Sequence, residues 1–159
     1  MFDRMLALVQ EVTRQLTPSV DENATPKAIV IHPDDLLPVC KRLFEHPELY
    51  FDLLSCITGI DNGPDKGTME IAYNFYSIPH DHHLMIKVIL PRDNPSIESV
   101  SSIWKTANWH EREIFDLFGI HFSNHPDLRR ILLPADWEGN PLRKDYKAQE
   151  YYKNIKLDY

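Results

Sequence analysis

Histidine, carboxylate and arginine gather in two places along this chain, and each gathering is of a type that could do chemistry. The first is Pro79-His80-Asp81-His82-His83, where imidazoles at such density could ligate a metal that, with Glu111 or Glu113, would serve a hydrolase. Histidine at a hairpin tip is also ordinary solvent-facing polarity, and that plainer reading is preferred. The second gathering is WHEREIFDLFGIHFSNHPDLRRILLPADW, residues 109–137. It opens like the zinc-protease motif HExxH, but position 114 is Ile, so the second ligand one turn later is missing and the motif is rejected. His125 could act as an acid or base, a role histidine suits as a residue type, although capping a turn ahead of Pro126 asks less of it. Arg129 and Arg130 could grip an anion, yet pairing with nearby acids or with a partner explains them equally well. Cys40 and Cys56 lie sixteen positions apart, without the CxxC spacing of redox, zinc or cluster sites, and read as buried thiols in a reducing compartment.

Positioning these residues falls to a small set of elements. Phe2, Met5, Val9, Val12 and Leu16 recur at steps of three and four and predict a first amphipathic helix. KAIVIH predicts a strand, and PDDLLPVCKRLFEH a helix with Pro38 near its first turn. YFDLLSCITGI reads as a nearly continuous buried strand, ended by the turn-rich DNGPDKG. Met69, Ile71, Tyr73 and Phe75, then Leu84, Ile86, Val88 and Leu90, alternate with other residues at period two and predict an antiparallel hairpin. NPSIESVSSIWKTA predicts a helix with Asn94 as N-cap and Pro95 at its first position. Another helix runs from Trp109 to Phe118 and stops at Gly119, a left-handed C-cap. Trp104 and Trp109 are expected in core or edge packing.

The fold class expected is α+β: a mixed or antiparallel sheet of about four strands with helices packed on it, over residues 1–122. An extended irregular C-terminal segment follows over residues 123–159. Disorder is not expected before Tyr146, because Leu128, Ile131, Leu132, Leu133, Trp137, Leu142 and Tyr146 carry more apolar mass than a solvated tail does. The final KAQEYYKNIKLDY is expected to be loose alone and ordered on a neighbour.

Charge and composition remove several function classes. A chain of 159 residues is about one domain, and its net charge of −7 comes without the basic stripe that neutralises phosphates, so nucleic acid is not an expected partner. The amino terminus lacks the apolar region of a signal peptide, and no apolar run approaches the ~20 residues of a membrane span. Membrane association is therefore expected only through a partner. On a helical wheel from Trp109, Ile114, Phe115, Leu117 and Phe118 form the apolar arc, Arg112 stands where it could reach Asp116, and Glu111 falls inside the arc. A carboxylate there needs a partner, and an arginine of the segment beyond is expected to supply it. Residues 125–147 carry a charge of +1 against −8 for the rest.

The spacing Glu111-Arg112-Glu113, Asp116, Leu117-Phe118, His125, Arg129, Ile131-Leu132 resembles the signature of the C subunit, the 30 kDa subunit of respiratory complex I, the NADH:quinone oxidoreductase. DWEGNPLRKDY resembles that family's second hallmark, and the two cover residues 107–146. Asn124 stands where the family commonly has Gly, and since Asn tolerates a left-handed backbone the same turn is expected. The resemblance implies a non-catalytic accessory subunit of the peripheral arm, on the cytoplasmic side of a bacterial inner membrane. It implies no cofactor in this chain, with FMN and iron–sulfur clusters in partner subunits and NADH and quinone as substrates of the whole enzyme. Subunits D, B and I are the implied neighbours, and a chain ending at Tyr159 is expected not to be the form fused to the D subunit. Within this frame, Glu111, Arg112, Glu113, Asp116, His125, Arg129 and Arg130 are expected to clamp the helix to the tail. Trp137, Leu142, Arg143, Lys144, Asp145 and Tyr146 are expected to face a partner. Alternatives are the homologous subunit of a membrane-bound hydrogenase or a photosynthetic NADH-dehydrogenase-like complex and, from another class, a stand-alone metal-dependent enzyme.

Overall fold

In the computed structural model, which describes residues 1–157, a hairpin of ten-residue strands, β4 (Thr68–Ser77) and β5 (His82–Pro91), forms the centre. Its register sets Met69 opposite Leu90, Tyr73 opposite Ile86 and Phe75 opposite Leu84, so the period-two residues share one face and are buried there. β3 (Leu53–Asp61) adds antiparallel to β4, β2 (Ala28–Ile31) adds parallel to β5, and β1 (Ser19–Asp21) closes the sheet. The order is β1-β2-β5-β4-β3. The expected α+β class holds, with five strands where about four are expected, because three-residue β1 is too short to show a period. Met5, Leu8 and Val9 of α1 (Phe2–Gln10) and Leu36, Val39, Cys40 and Leu43 of α2 (Leu36–Glu45) share one core with the sheet's inner face. Pro38 sits in the first turn of α2, where no donor is lost. Among the described residues no helix is long and apolar enough to cross a membrane.

Four local readings are corrected. The first helix stops at Gln10 and leaves Leu16 exposed, because the buried Asp35 carboxylate accepts the N–H groups of Arg14 and Gln15 and draws the chain away. β3 is an edge strand with alternating burial, bulged between Leu54 and Cys56, and not a continuously buried one. Residues 94–107 form no long helix: β6 (Ser96–Glu98) pairs parallel with β7 (His121–Ser123), and turns follow. Asn94 has φ +51, which no N-cap adopts, and the Ser99 hydroxyl accepts the Ser101 N–H, a local bond that competes with helix. Trp104 is core, its indole N–H donating to the Phe51 carbonyl at 2.9 Å, whereas Trp109 is 61% exposed.

α3 (Ala107–Phe118) lies across β3, and its approach is set by Gly59: a Cβ there would stand 2.9 Å from a Phe118 ring carbon and 3.3 Å from Ile114. Near the C-terminus, β8 (Tyr151–Tyr152) and β9 (Ile155–Lys156) pair through Lys153 and Asn154, both at positive φ, so part of the stretch expected to be loose is a hairpin. Asp158 and Tyr159, at the end of the expected C-terminal segment, lie outside the described residues.

Gly59→Ala should lower stability by about 1–3 kcal/mol through overpacking, and Phe118→Leu in the same chain should recover part of the loss. Urea unfolding of the four proteins in this cycle measures it, and strictly additive losses would mean that the two residues do not press on each other.

Candidate functional site

The last carbonyls of any helix lack partners within it, and those of α3 are satisfied by the segment that follows. Gly119, left-handed at φ +74, returns its N–H to the Phe115 carbonyl at 3.0 Å. The Asp116 carbonyl accepts from Asn140 Nδ2 at 2.9 Å and Arg130 Nη1 at 3.2 Å, that of Leu117 from the Leu142 N–H at 3.0 Å, and that of Phe118 from Arg143 Nε at 2.8 Å. Two guanidinium groups thus stand at the negative end of the helix.

The Asp116 side chain, fully buried, fastens the same segment from the side. Its Oδ2 accepts the N–H groups of Ile131, Leu132 and Leu133 at 3.0, 2.8 and 2.9 Å, while Oδ1 accepts from Arg130 Nη1 at 2.7 Å. Burial alone would push this carboxyl up. The Leu133 N–H, the Arg130 guanidinium and the N–H groups of Ile131 and Leu132 outweigh it and hold the group below its usual value. Arg130 extends the network to the carbonyls of Trp137 and Gly139. One turn earlier, Arg112 donates to the carbonyls of Arg129 and Arg130 and stacks over the Trp109 ring, 5.3 Å from its centre. Arg112 and Asp116 both bond the tail, which offers each of them better-placed backbone partners than their own i+4 pairing.

A second fastening lies at the sheet's end. Asp61, the last residue of β3, receives Arg92 Nε at 2.9 Å, Arg92 Nη2 at 3.0 Å and the Gly63 and Lys144 N–H groups at 2.9 and 2.8 Å. Arg92 also bonds Asp145. Arg92 first, and then the Lys144 and Gly63 N–H groups against the effect of burial, hold the Asp61 carboxyl well below the usual range. Neither Asp61 nor Arg92 is a sequence candidate. A signal exists: Asp61 continues the inward series Ile57, Gly59 of β3, and an acid in an apolar series is the feature that singles out Glu111.

Glu111 is fully buried but meets no arginine, so that expected pairing is corrected. Its Oε1 accepts the Val100 N–H at 2.8 Å, and its Oε2 lies 2.6 Å from the Ser99 hydroxyl and 3.8 Å from His125 Nε2. Burial pushes this carboxyl up to about 7 against those two hydrogen bonds. His125 Nδ1 accepts the Asp127 N–H at 3.0 Å and Nε2 meets the Asn108 carbonyl at 3.1 Å, so the ring caps the turn that starts the tail, next to Asn124 at φ +59. Of the expected clamp, the structure therefore joins Arg112, Asp116 and Arg130 in one network and Glu111 and His125 in another. The Arg129 side chain is 73% exposed and bonds Asp127, and Glu113 is exposed and outside both.

Among the residues expected to face a partner, Leu142 is 51% exposed, and Lys144 and Asp145 are exposed. Arg143, Trp137 and Tyr146 are half-buried, the last two bonded from indole N–H to phenol oxygen at 3.1 Å. His82 and His80 bond the carbonyls of Leu49 and Pro47. Among the described residues no three histidines, cysteines or carboxylates are placed to hold a metal.

The family described as respiratory-chain NADH dehydrogenase, 30 kDa subunit, matches residues 29–152. The NADH-quinone oxidoreductase C subunit of Chlorobium phaeobacteroides is 44% identical over 96% of this chain and 92% of its own length. The same-named protein of Chloroherpeton thalassium is 50% identical over 72% of this chain, which spans about half of that longer relative, 48%. Among solved structures, the trypsin-resistant fragment 1–134 of Nqo5 superposes with a TM-score of 0.62 at 23% identity, over 80% of this chain and 98% of the fragment. A chain of the membrane-bound sulfane sulfur reductase, an archaeal respiratory membrane complex, gives 0.72 at 21% over 92% and 85%. These two likenesses establish the fold.

Asp116→Ala should cost about 3 kcal/mol, since it strands Arg130 and three amides, while exposed Glu22→Ala should change stability by less than about 0.5 kcal/mol. Equal small losses in urea unfolding would detach the tail from this carboxylate. Because Asp61 and Asp116 titrate below their ordinary 3.8 in the folded chain, their contribution is present above that value and is lost as pH falls through the lower folded ones. Amide exchange at Ile131 and Lys144, corrected for its intrinsic pH dependence, should therefore rise on acidification below pH of about 4 and remain slow above it.

Proposed function

The chain belongs to the 30 kDa subunit family of respiratory-chain NADH dehydrogenase, and from that membership we propose that it is a non-catalytic bracing subunit of the peripheral arm of an ion-translocating NADH:quinone oxidoreductase. In this reading FMN and the iron–sulfur clusters reside in other subunits, and the arm lies on the cytoplasmic face of a bacterial inner membrane. Subunits D, B and I are the neighbours. The observation that carries it is the use made of the signature charges: Arg112, Asp116 and Arg130 direct their hydrogen bonds into the tail's backbone. A segment of turns and bends is thereby held against α3.

That arrangement suits docking. A loose tail loses conformational freedom when it binds, and one fixed beforehand binds with that cost already met in folding. The fastened stretch presents Leu132 and Leu142 at 61% and 51% exposure beside Arg129 and Lys144, a mixture of apolar area and charge typical of an interface rim and centre. Its +1 charge against the −8 remainder gives the molecule an oriented field that favours approach of an acidic partner face tail-first.

Mild detergent extraction of a tagged chain from its native membranes, followed by mass spectrometry, tests the reading. Flavin- and cluster-bearing dehydrogenase subunits together with the D subunit are the expected co-purifying proteins. A hydrogenase large subunit, or photosynthetic partners, would reassign the chain to a sister complex sharing the fold, and the absence of any stoichiometric partner would sink the bracing role. Leu142→Arg, at an exposed position, should leave the isolated chain's stability within about 0.5 kcal/mol yet reduce recovery of the complex severalfold.

A further inference from the structure

Four carboxylates among the described residues are buried, Asp35, Asp61, Glu111 and Asp116, and Glu111 differs from the others in what faces it. Asp61 and Asp116 each hold a guanidinium, and Asp35 accepts the N–H groups of Arg14 and Gln15. Among the described residues no lysine or arginine lies within ion-pair distance of Glu111. Its surroundings are Ser99 and the Val100 amide from the turn after β6, His125 from the tail, and Cys40 of α2 and Tyr73 of β4, both fully buried. Burial first, then the Glu111 charge, pushes the Cys40 thiol and the Tyr73 phenol up, so neither supplies compensating positive charge. The Tyr73 hydroxyl is buried with no hydrogen-bond partner among the described residues. One polar path leads out: Glu111 Oε2 to Ser99 Oγ at 2.6 Å, and Ser99 Oγ to the hydroxyl of half-buried Ser101 at 2.7 Å.

We propose that Glu111 is a buried proton-binding site that exchanges with solvent through the hydroxyls of Ser99 and Ser101, and that its charge state sets how His125 anchors the root of the tail. In the protonated form Glu111 donates to Ser99 and Ser99 to Ser101. For release, the Glu111 proton passes to Ser99 Oγ as the Ser99 proton passes to Ser101 and the Ser101 proton to water. The transfer itself leaves Ser99 donating to the carboxylate and Ser101 donating to Ser99. Charge and atoms balance, with one proton delivered to solvent. The bond from Asp127 marks Nδ1 of His125 as an acceptor, so its proton is on Nε2, shared between the Asn108 carbonyl at 3.1 Å and Glu111 at 3.8 Å. An ionised carboxylate draws that proton away from Asn108, and the anchor of the tail's root weakens. Burial, pushing Glu111 up to about 7 against its bonds to Ser99 and Val100, puts the exchange near neutrality. Because the folded value lies above the ordinary 4.5, the stabilisation is complete below the ordinary value and is lost as pH rises through the folded one.

The test uses the full chain, with carbon-13 NMR of its glutamate side-chain carboxyls from pH 4 to 9. One carboxyl should titrate near neutrality and be missing from Glu111→Gln, the isostere of the protonated form. Amide exchange at Asp127, corrected for its intrinsic pH dependence, should rise severalfold between pH 5 and 8 in the wild type and stay flat in the variant. Titration of every glutamate in the ordinary range would overturn the site, a measurement that needs only the wild type should the variant not fold. An equal rise of Asp127 exchange in Glu111→Gln would overturn the link to the tail. Ser101→Ala should slow proton exchange at Glu111 without moving its midpoint, and unchanged exchange would overturn the hydroxyl path.

Discussion

The carboxyl end of α3 is where the domain and its tail become one structure. A helix that ends at a left-handed glycine leaves carbonyls in need of donors, and here Asn140, Leu142 and Arg143 provide them from more than twenty residues downstream. The dependence is mutual, since the tail lacks a ladder of its own over residues 124–149 and α3 partners backbone groups of Arg129, Arg130, Ile131, Leu132, Leu133 and Leu142. Gly119 makes the geometry possible: a Cβ there would stand 2.7 Å from Asn140 Oδ1, so the position excludes a side chain on conformational and steric grounds together.

The buried charges divide by partner, and the division has physical consequences. Asp61 and Asp116 each combine a guanidinium with two or more backbone N–H groups, the condition under which desolvating a carboxylate is compensated. Charge stays on them, and their directional bonds select one path for an otherwise irregular chain. Glu111 has hydrogen bonds but, among the described residues, no lysine or arginine in ion-pair contact, which shifts the balance toward the neutral acid. Fastening and titration are thus assigned to different carboxylates of the same fold.

Much of this was readable from the chain. Period two placed the β4–β5 hairpin, three-and-four spacing placed α1, α2 and α3, and Gly119 and Asn124 announced their backbone turns. The position of Glu111 in an apolar arc signalled burial correctly, yet its partner could not be deduced, because the turn supplying Ser99 and the Val100 amide looked helical: Ile97, Val100 and Trp104 have helical spacing and are all buried in a strand and turn instead. Burial alone does not distinguish those conformations. Asp61 and Arg92 were missed because their meeting depends on register across three strands, information absent from any single segment. Arg112 and Asp116 showed the converse limit, since wheel geometry names who is adjacent and cannot count the backbone donors a distant tail will bring.

A tail fastened by charges rather than by apolar burial has a distinctive energetic character. Its hydrophobic side chains are left free in part, Leu132 and Leu142 remaining more than half exposed, because the anchoring is done by backbone amides and carbonyls against Asp116, Arg112 and Arg130. Were the same segment held by burying those leucines, its apolar surface would be consumed within the chain, and little would remain to offer a neighbour. Polar fastening therefore separates the two demands on one stretch of sequence: the backbone fixes the path and the side chains stay available. The directional nature of the bonds fixes where those side chains emerge, which a greasy contact of equal strength, able to slide, would not do. This accounts for why buried carboxylates recur beneath a surface segment whose own residues are so apolar.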